Sequence, residues 1–313
     1  MIADFAGLLD AVRDLPVQTA AIAAAGSDVV IEGAKAALDA NVARPILFGD
    51  AKVIADLSAK AGLDLSSVEV QDIPDEIAAT AAAVAAVRDG RAQILVKGHV
   101  HTDDFLRCIL DAEKGLRAGV LMSHVFILEA TSLGRLLFVT DGAMNIAPDL
   151  EQKAQILLNA VYLARAFGVE EPKVGALAAV EVVNPKMPVT IDAAALAGMD
   201  TRGQFPFCVV DGPFALDNAV SQEAARIKGL SGPVAGLCDI LLAPDIEAGN
   251  ILAKTFAFLG GGRVAGLLVG AAAPVVLTSR ADSAEARLCS VAAAVLTAGM
   301  SRDGRLRISK LRY

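Results

Sequence analysis

The chain has 313 residues, of which 55% are hydrophobic and 20% are charged. This composition can bury a large core, which excludes a disordered protein, and the length suits one large domain or two ordinary ones. The 28 basic and 36 acidic residues give a net charge of -8, and only 4% of residues are aromatic. Nucleic acids and anionic membranes need a basic face, and unpaired bases stack on aromatic rings, so neither is expected as a partner.

The sequence carries few signals of secretion, disulfides or a membrane span. Its four cysteines are too far apart for a CxxC metal or redox pair. The longest apolar stretch, Val264 to Leu277, is about 14 residues long, whereas a spanning helix needs roughly 20. The first residues have neither the basic start nor the apolar core of a signal peptide. A cytoplasmic protein is therefore expected.

Short apolar runs alternate along the chain with longer helical patterns. The expected strands are Pro45 to Phe48, Gln93 to Val96, Gly119 to Met122, Arg135 to Thr140, Lys173 to Val180, Phe205 to Val210, Asp239 to Ala243 and Pro274 to Thr278. The expected helices include Asp103 to Leu110, Leu150 to Phe167, Asn218 to Lys228, Ala248 to Phe258 and Ser283 to Ala298. The strands are almost continuously apolar, as strands are when both faces of a sheet are covered. The pattern predicts an α/β fold with largely parallel sheets.

Polar residues follow several of these strands. Ligands of open α/β sheets bind beyond the carboxyl ends of the strands, so such residues are candidates for a polar cleft. Loops are often polar in any case, so each segment alone is also explained as ordinary loop chemistry. The segments are Lys97-Gly98-His99, Thr140-Asp141-Gly142, Asp211-Gly212-Pro213, Ala243-Pro244-Asp245 and Ser279-Arg280.

The segment after the last predicted strand has the composition of an anion site. Ser279 and Arg280 directly follow that strand, and Asp282 with Glu285 has the spacing of a capping box that starts the next helix. The free N–H groups of a helix start near Ser283 and the guanidinium fork of Arg280 would together bind a phosphate or a carboxylate. A capped helix with one surface arginine is the alternative interpretation.

A second candidate segment begins at Lys97. There Thr102 can cap a helix, and Arg107 lies on the second turn of that helix, so both could contact an anion in the same cleft. The pair His99 and His101 raises the question of a metal. Only three histidines exist, and no cysteine has ligand spacing to them, so no metal site is expected.

Two further segments have the strand–loop–helix form. Asp211 follows an apolar strand and precedes a Gly-Pro turn, which predicts a carboxylate at the floor of a cleft. Asn250 and Lys254 are one helical turn apart and so share a face.

Taken together, these segments resemble the phosphate acetyl/butyryltransferase family, which moves an acyl group between coenzyme A and inorganic phosphate. The similarity runs from about Pro45 to Ala298, and the segment DGPFALDNAVS is closer to the butyryl branch of the family. The sequence segments on which the resemblance depends are LVKGHVHTDDFLRCIL, FVTDGAMNIAPDLEQKAQI, VVDGPFALDNAVSQEAA, GPVAGLCDILLAPDIEAGNILAK and VVLTSRADSAEA.

The resemblance implies a two-domain fold like that of isocitrate and isopropylmalate dehydrogenases, with largely parallel sheets and an interdomain cleft. Residues 1–120 and 265–313 would form a discontinuous first domain, and residues 121–264 the second. The protein is also expected to be a homodimer.

The resemblance also implies roles for individual residues. Ser279, Arg280 and Arg107 match the catalytic serine–arginine pair and further arginine of the family, and Thr102 precedes that arginine. Acetyl-type members have an aspartate seven positions after the serine, as the base toward the coenzyme A thiol, where this chain has Ala286. Asp211 is our candidate for that base, in preference to Glu285. The expected substrate-binding residues are Thr102, Lys97, Ser283 and Asn250.

The implied reaction converts acyl-CoA and phosphate into acyl phosphate and CoA, with no cofactor besides coenzyme A as substrate. Because Ala286 replaces the family aspartate, a non-catalytic domain of the same fold that senses acyl-CoA is an alternative. A dehydrogenase of the same fold is disfavoured, since neither a GxGxxG motif nor a metal-binding aspartate cluster is found in the sequence.

Overall fold

The computed structural model describes residues 1–279, 282–302 and 311. Residue contacts divide the chain into two compact units. The central unit contains Met1–Asp4 and Leu121–Val264, and the split unit contains Phe5–Val120 and the described residues from Ala265 to Arg302. The first four residues thus group with the central unit, where the Ile2 amide donates to the Phe167 carbonyl at 2.9 Å. That the predicted domains are folding domains stays a prediction.

Helices and strands alternate through both units. Among the described residues the strands are β1 (Gln18–Ala23), β2 (Ala43–Gly49), β3 (Glu69–Asp72), β4 (Ile94–Lys97), β5 (Ser123–Ala130), β6 (Arg135–Thr140), β7 (Lys173–Leu177), β8 (Val209–Phe214), β9 (Ile240–Leu242), β10 (Val264–Val269) and β11 (Val275–Val276). The helices there are α1 (Phe5–Arg13), α2 (Asp28–Asp39), α3 (Ala51–Ala61), α4 (Glu76–Arg88), α5 (Thr102–Leu110), α6 (Leu150–Ala166), α7 (Pro188–Thr201), α8 (Leu216–Val220), α9 (Gln222–Ile227), α10 (Ile246–Lys254) and α11 (Ala284–Arg302).

The sheet of the split unit has the strand order β3-β2-β1-β4-β11-β10. Strands β3, β2, β1, β4 and β11 are parallel, and β10 runs antiparallel to β11. Helices α2 and α11 pack against each other, and the small residues Gly33, Ala34 and Ala37 form part of the buried face of α2. All four residues of β4 are buried, as the continuous apolar run predicted.

The sheet of the central unit has the order β5-β6-β9-β7-β8. Strands β6, β9, β7 and β8 are parallel, and β5 forms an antiparallel pair with β6. The long helix α6 begins with a capping box in which Asp149 and Gln152 bond each other's backbone amides. The core beside this sheet includes Leu128, Leu137, Val139, Phe214, Val234, Cys238 and Leu241.

The predicted α/β class is confirmed, and several predicted elements are corrected. The expected strand Gly119 to Met122 is wrong, because the chain becomes extended only at β5. The expected strand Phe205 to Val210 lies four residues later, as β8. The expected helix Asn218 to Lys228 is two helices, since the Ser221 hydroxyl accepts the Ala224 amide and starts α9.

Two further elements are shorter than predicted. The strand expected over Pro274 to Thr278 is regular only at Val275–Val276. The helix expected over Ala248 to Phe258 is α-helical to Lys254, and Thr255–Leu259 continues as a π-helix. Within the described part of the chain, no helix is both long and apolar enough to cross a membrane.

Candidate active site

The split unit brings the two predicted anion-site segments to the same edge of its sheet. Strands β4 and β11 are parallel neighbours, with Leu95 opposite Val275 and Val96 opposite Val276. Their carboxyl ends therefore lie side by side, and the segments that begin at Lys97 and Leu277 leave the sheet together. This is the edge at which ligands of such sheets bind.

Strand β1 lies on the other side of β4 and ends at the same edge, with Ala23 opposite Lys97. The contact there is very close. A Cβ atom added to Gly98 would lie 2.0 Å from the Ala23 carbonyl oxygen and 2.5 Å from that of Ala24. Only glycine fits at this position, because the backbones of the two strand ends touch.

Ser279 lies in a short turn directly after β11, and hydrogen bonds hold its backbone. Its amide donates to the Asp282 carboxylate at 2.6 Å, and the Asp282 amide donates back to the Ser279 carbonyl at 3.2 Å. The neighbouring Arg280, predicted to be catalytic, lies outside the described residues.

Ser283 begins helix α11. Its hydroxyl accepts the Ala286 amide at 3.2 Å, and its carbonyl accepts the Arg287 amide at 3.1 Å. The hydroxyl therefore acts as a helix cap, which accounts for Ser283 without a ligand. Substrate binding by Ser283 stays a prediction.

Arg287 is a buried cation beside this turn that the sequence analysis missed. Its side chain donates from Nη1 to the Thr278 hydroxyl at 2.7 Å and from Nη2 to the Ser279 carbonyl at 2.8 Å. Burial lowers the pKa of the guanidinium, and the charge of Asp282 opposes that shift. A signal was present, since Arg287 shares the inward face of α11 with Val291 and Ala294 at helical spacing.

Lys97 is buried as the last residue of β4, with 3% of its surface exposed. Lys97 and Arg287 line the same cavity of about 20 Å³, which otherwise has apolar walls from α2 and the sheet. That is the space of about one water molecule, so the cavity does not hold a substrate. Two cations therefore lie beneath the edge where Ser279 is located, and Lys97 as a direct substrate contact stays a prediction.

Thr102 and Arg107 lie on α5, which follows β4. Thr102 is the first helical residue, so the prediction that it caps α5 is wrong; His101 occupies the capping position, with no side-chain cap bond. Arg107 is 73% exposed and pairs with Asp104 on the same helix at 2.6 Å. Such a surface pair is weak and easily exchanged, so the guanidinium can turn to an anionic ligand.

Asp211 belongs to the central unit and lies inside a strand, not after one. It lies within β8 opposite Gly175, because the strand continues through Gly212 and Pro213 to Phe214. Its carboxylate accepts the Gly212 amide at 2.8 Å, and its charge adds to the burial that mainly raises the pKa of Asp200. The predicted strand-end position is therefore wrong, and its role as a base stays a prediction.

Asn250, also in the central unit, has a structural partner. Its side-chain amide donates to the Gly142 carbonyl at 2.8 Å and so joins α10 to the loop after β6. In that loop Asp141 accepts the amides of Ala143 and Met144 and is 3% exposed. Asn250 thus holds a loop at the carboxyl ends of β6 and β9, and its contact with substrate stays a prediction.

The two histidines near Lys97 do not belong to a metal cluster in the part of the chain that the structure describes. There, no group of three His, Cys, Asp or Glu side chains is placed to hold an ion. The Nδ1 atom of His99 instead lies 3.0 Å from Oε1 of Glu76, the first residue of α4.

A family model described as "Phosphate acetyl/butaryl transferase" matches residues 75–297. The chain belongs to this family. The match contains Lys97, the segment around Ser279, residues 121–264 of the central unit and about half of the split unit, so the resemblance seen in the sequence is confirmed.

Individual relatives carry both of the family's names. The chain is 47% identical over 302 residues to a phosphate butyryltransferase of Clostridium beijerinckii, covering 96% of this chain and 100% of the relative. It is 47% identical over 270 residues to a phosphate acetyltransferase of Rhizobium meliloti, covering 86% and 85%.

Solved structures agree on the fold. A branched-chain phosphotransacylase from Enterococcus faecalis V583 matches with a TM-score of 0.79 and 34% identity, over 90% of this chain and 99% of that one. A 4-hydroxythreonine-4-phosphate dehydrogenase from Salmonella typhimurium, described as putative in its own structure, matches with a TM-score of 0.59 and 11% identity, over 90% and 99%. The second likeness concerns the fold alone and agrees with the dehydrogenase-like architecture.

Proposed function

We propose that the protein is a phosphate acyltransferase that converts acyl-CoA and inorganic phosphate into acyl phosphate and CoA, with an acetyl or butyryl group. The observation that carries this proposal is the similarity, over nearly all of the chain, to relatives named for phosphate butyryl and acetyl transfer. The arrangement of Ser279 above Lys97 and Arg287 supports it, because an anionic substrate and an anionic transition state both favour a cationic surrounding.

In this reaction a phosphate oxygen attacks the thioester carbonyl carbon. A C–O bond forms, the C–S bond breaks, and CoA leaves as a thiolate that takes up a proton. Negative charge develops on the carbonyl oxygen, where the Ser279 hydroxyl and Arg280 are the proposed donors. Arg107, Thr102 and the start of α11 at Ser283 are the proposed phosphate contacts. Lys97 and Asn250 are proposed as further substrate-binding residues, and the reaction as written needs no metal or redox group.

The thiol must be ionised when CoA is the attacking group. An ordinary thiol has a pKa of about 8.5 and is only partly ionised at neutral pH, so a base or a cationic surrounding increases the rate. Position 286, where acetyl-type members have an aspartate, is alanine here. Asp211 is the proposed carboxylate base, and the buried cations Lys97 and Arg287 are the alternative source of thiol activation.

Release of free thiol from acetyl-CoA and butyryl-CoA, with and without phosphate, tests the proposed function. We expect release that saturates with phosphate and is negligible without it. An acyl-CoA-sensing domain, favoured only by the alanine at position 286, would bind acyl-CoA without consuming it. No thiol release from either substrate would overturn the acyltransferase proposal.

The Arg280→Ala substitution tests the proposed reaction centre. Loss of a charged donor to the transition state should lower turnover by on the order of 10²-fold or more. The unfolding temperature should change little, and thermal denaturation of both proteins provides the control. A near-normal rate that still saturates with phosphate would remove Arg280 from the reaction centre.

We also propose that the protein is a cytoplasmic homodimer. The expectation of a dimer accompanies the resemblance to the family, and sedimentation equilibrium measures the number of subunits directly. A monomer at micromolar concentration would contradict it.

A further inference from the structure

Arg287 contacts the turn that carries Ser279 at two points. Its Nη1 and Nη2 atoms donate to the Thr278 hydroxyl and the Ser279 carbonyl, at 2.7 and 2.8 Å. On the other side, the Asp282 carboxylate accepts the Ser279 amide at 2.6 Å. Oppositely charged side chains therefore bind the two backbone groups of the same serine.

The burial of Arg287 argues that this contact has a purpose beyond the stability of α11. Only 6% of the residue is exposed, although a guanidinium removed from water destabilises a protein unless its donors are bonded. The neighbouring residues on the inner face of α11, such as Val291 and Ala294, are apolar. A hydrophobic residue at 287 would pack there without a desolvation cost, but it could not bond the turn.

Helix α2 fixes the side chain from the opposite direction. A Cβ atom added to Gly33 would lie 3.1 Å from Cδ and 3.3 Å from Cβ of Arg287. The aliphatic part of Arg287 therefore lies directly on the backbone of α2, and a glycine at 33 provides the room. A planar fork held in this way meets two acceptors at once with separate nitrogens, whereas the donors of a lysine all lie on one nitrogen.

We propose that Arg287 is a positioning residue, which fixes the Thr278–Ser279 turn so that the Ser279 hydroxyl stands at the reacting carbonyl. The inference rests on the proposed function, because Ser279 acts there as a donor to the transition state. Arg287 touches no substrate; it acts through Ser279. Arg287 directly follows Ala286, the position at which the family's acetyl-type members have a carboxylate.

Substitutions at 287 test this directly in the full-length protein. Arg287→Ala and Arg287→Met should lower kcat by on the order of 10²-fold, because a small displacement of a catalytic group has that effect. The KM values for butyryl-CoA and phosphate should change less than about threefold, since the lost interaction matters in the transition state. Arg287→Lys should fall between these variants and the wild type.

Chemical rescue distinguishes positioning from mere packing. Arg287→Ala leaves a hole in which a free guanidinium ion can bind, while Arg287→Met fills the same hole. Guanidinium at sub-denaturing concentration should therefore raise kcat of Arg287→Ala by at least about tenfold and leave Arg287→Met unchanged. Sodium at the same ionic strength is the control. A purely structural arginine would give no rescue of kcat in the folded protein.

A second variant tests the same proposal if the 287 variants fail to fold. Gly33→Ala pushes the aliphatic part of Arg287 away from α2 and should lower kcat severalfold with nearly unchanged KM. Gly198→Ala in α7 is the matched control, since a Cβ atom there meets nothing within 4 Å. Its kcat should equal that of the wild type.

The outcomes separate the two proposals. If the wild type releases no thiol, the proposed function fails. If the wild type is active, while folded Arg287 variants keep kcat within about threefold or Gly33→Ala behaves like Gly198→Ala, the positioning role is overturned and the function stands.

Discussion

At the scale of single residues, the backbone around Ser279 shows how charge and geometry combine. The Ser279 amide bonds a carboxylate, its carbonyl bonds a guanidinium, and both partners come from the first turn of α11 or the residues before it. Charge-assisted bonds of this kind are about twice as strong as neutral ones. The turn is therefore held more firmly than an ordinary loop after a strand.

Asp211 is the carboxylate whose catalytic role needs a direct test. In the direction in which the CoA thiol attacks acyl phosphate, loss of a true base should lower the rate sharply and flatten its rise with pH. We expect that behaviour from Asp211→Asn, measured as rate against pH. Glu285→Gln is the matched control and should keep the wild-type profile. A wild-type profile for Asp211→Asn would leave thiol ionisation to Lys97 and Arg287.

The cysteines give a second prediction at this scale. Burial is the main cause that raises the pKa of Cys208 and of Cys238 to about 12. At pH 8 only about one molecule in 10⁴ then carries the thiolate at either position. Neither residue should react with an aromatic disulfide reagent in the native protein, and both should react after unfolding in urea.

Cys108 is the internal comparison, because it is less buried and its pKa is raised by burial and by Asp104. It should react slowly in the native state. Rapid labelling of Cys208 or Cys238 would show that the central unit opens at the segments that lead into β8 and β9. Because the protein's own thiols should react little with this reagent, the same reagent is suitable for measuring CoA release.

At the scale of secondary-structure elements, the contact between the ends of β1 and β4 decides how the edge of the sheet is built. Gly98→Ala should destabilise the protein by about 2–3 kcal/mol or more, since a Cβ atom there meets backbone rather than a mobile side chain. Urea denaturation measures the free energy of unfolding. Gly26→Ala, where a Cβ atom meets nothing within 4 Å, is the control and should be nearly neutral. Equal free energies of unfolding for Gly98→Ala and Gly26→Ala would mean that the ends of β1 and β4 separate easily.

Much of this element pattern was predictable from sequence, because buried parallel strands are continuously apolar. β2, β4, β6 and β9 lie within or close to their predicted ranges. β1 was missed because Ala20, Ala21 and Ala23 favour helix, and only burial in the sheet makes them extended. Tertiary packing outweighs local preference there.

The displacement of β8 has a similar cause. Gly212 and Pro213 predict a turn, yet they lie in a strand. β8 is the last strand in its sheet, and an edge strand tolerates a proline that donates no ladder hydrogen bond. A local rule could not identify the edge strand.

The candidate site was predictable only in part for the same reason. Ser279 and Lys97 were identified because each follows an apolar run, and the pairing of β4 with β11 brings their segments together. Arg287 was missed because its neighbours in sequence are those of an ordinary amphipathic helix. Its importance comes from Gly33, which is distant in sequence, and from the turn at Thr278, which folds back to accept its hydrogen bond.

At the scale of the whole molecule, the split unit depends on both of its stretches of chain. β11 pairs with β4, and α11 packs on α1 and α2. Residues 1–264 alone should therefore fail to fold cooperatively, because β4 would lose its neighbour and the face of α2 its cover. The measurement is urea unfolding of the truncated and full-length chains. Soluble truncated protein with a sharp transition would contradict the prediction.

This division also sets an order of events during protein synthesis. Strand β4 is complete at Lys97, but its partner β11 is made only after the ribosome has translated the whole central unit. At ordinary translation speeds of 5–20 residues per second, that interval lasts about 10–40 s. Throughout it, the apolar edge of β4 is open to any other extended chain. The nascent protein is thus most exposed to misassociation while its central unit emerges, and slower translation of that region lengthens the exposure.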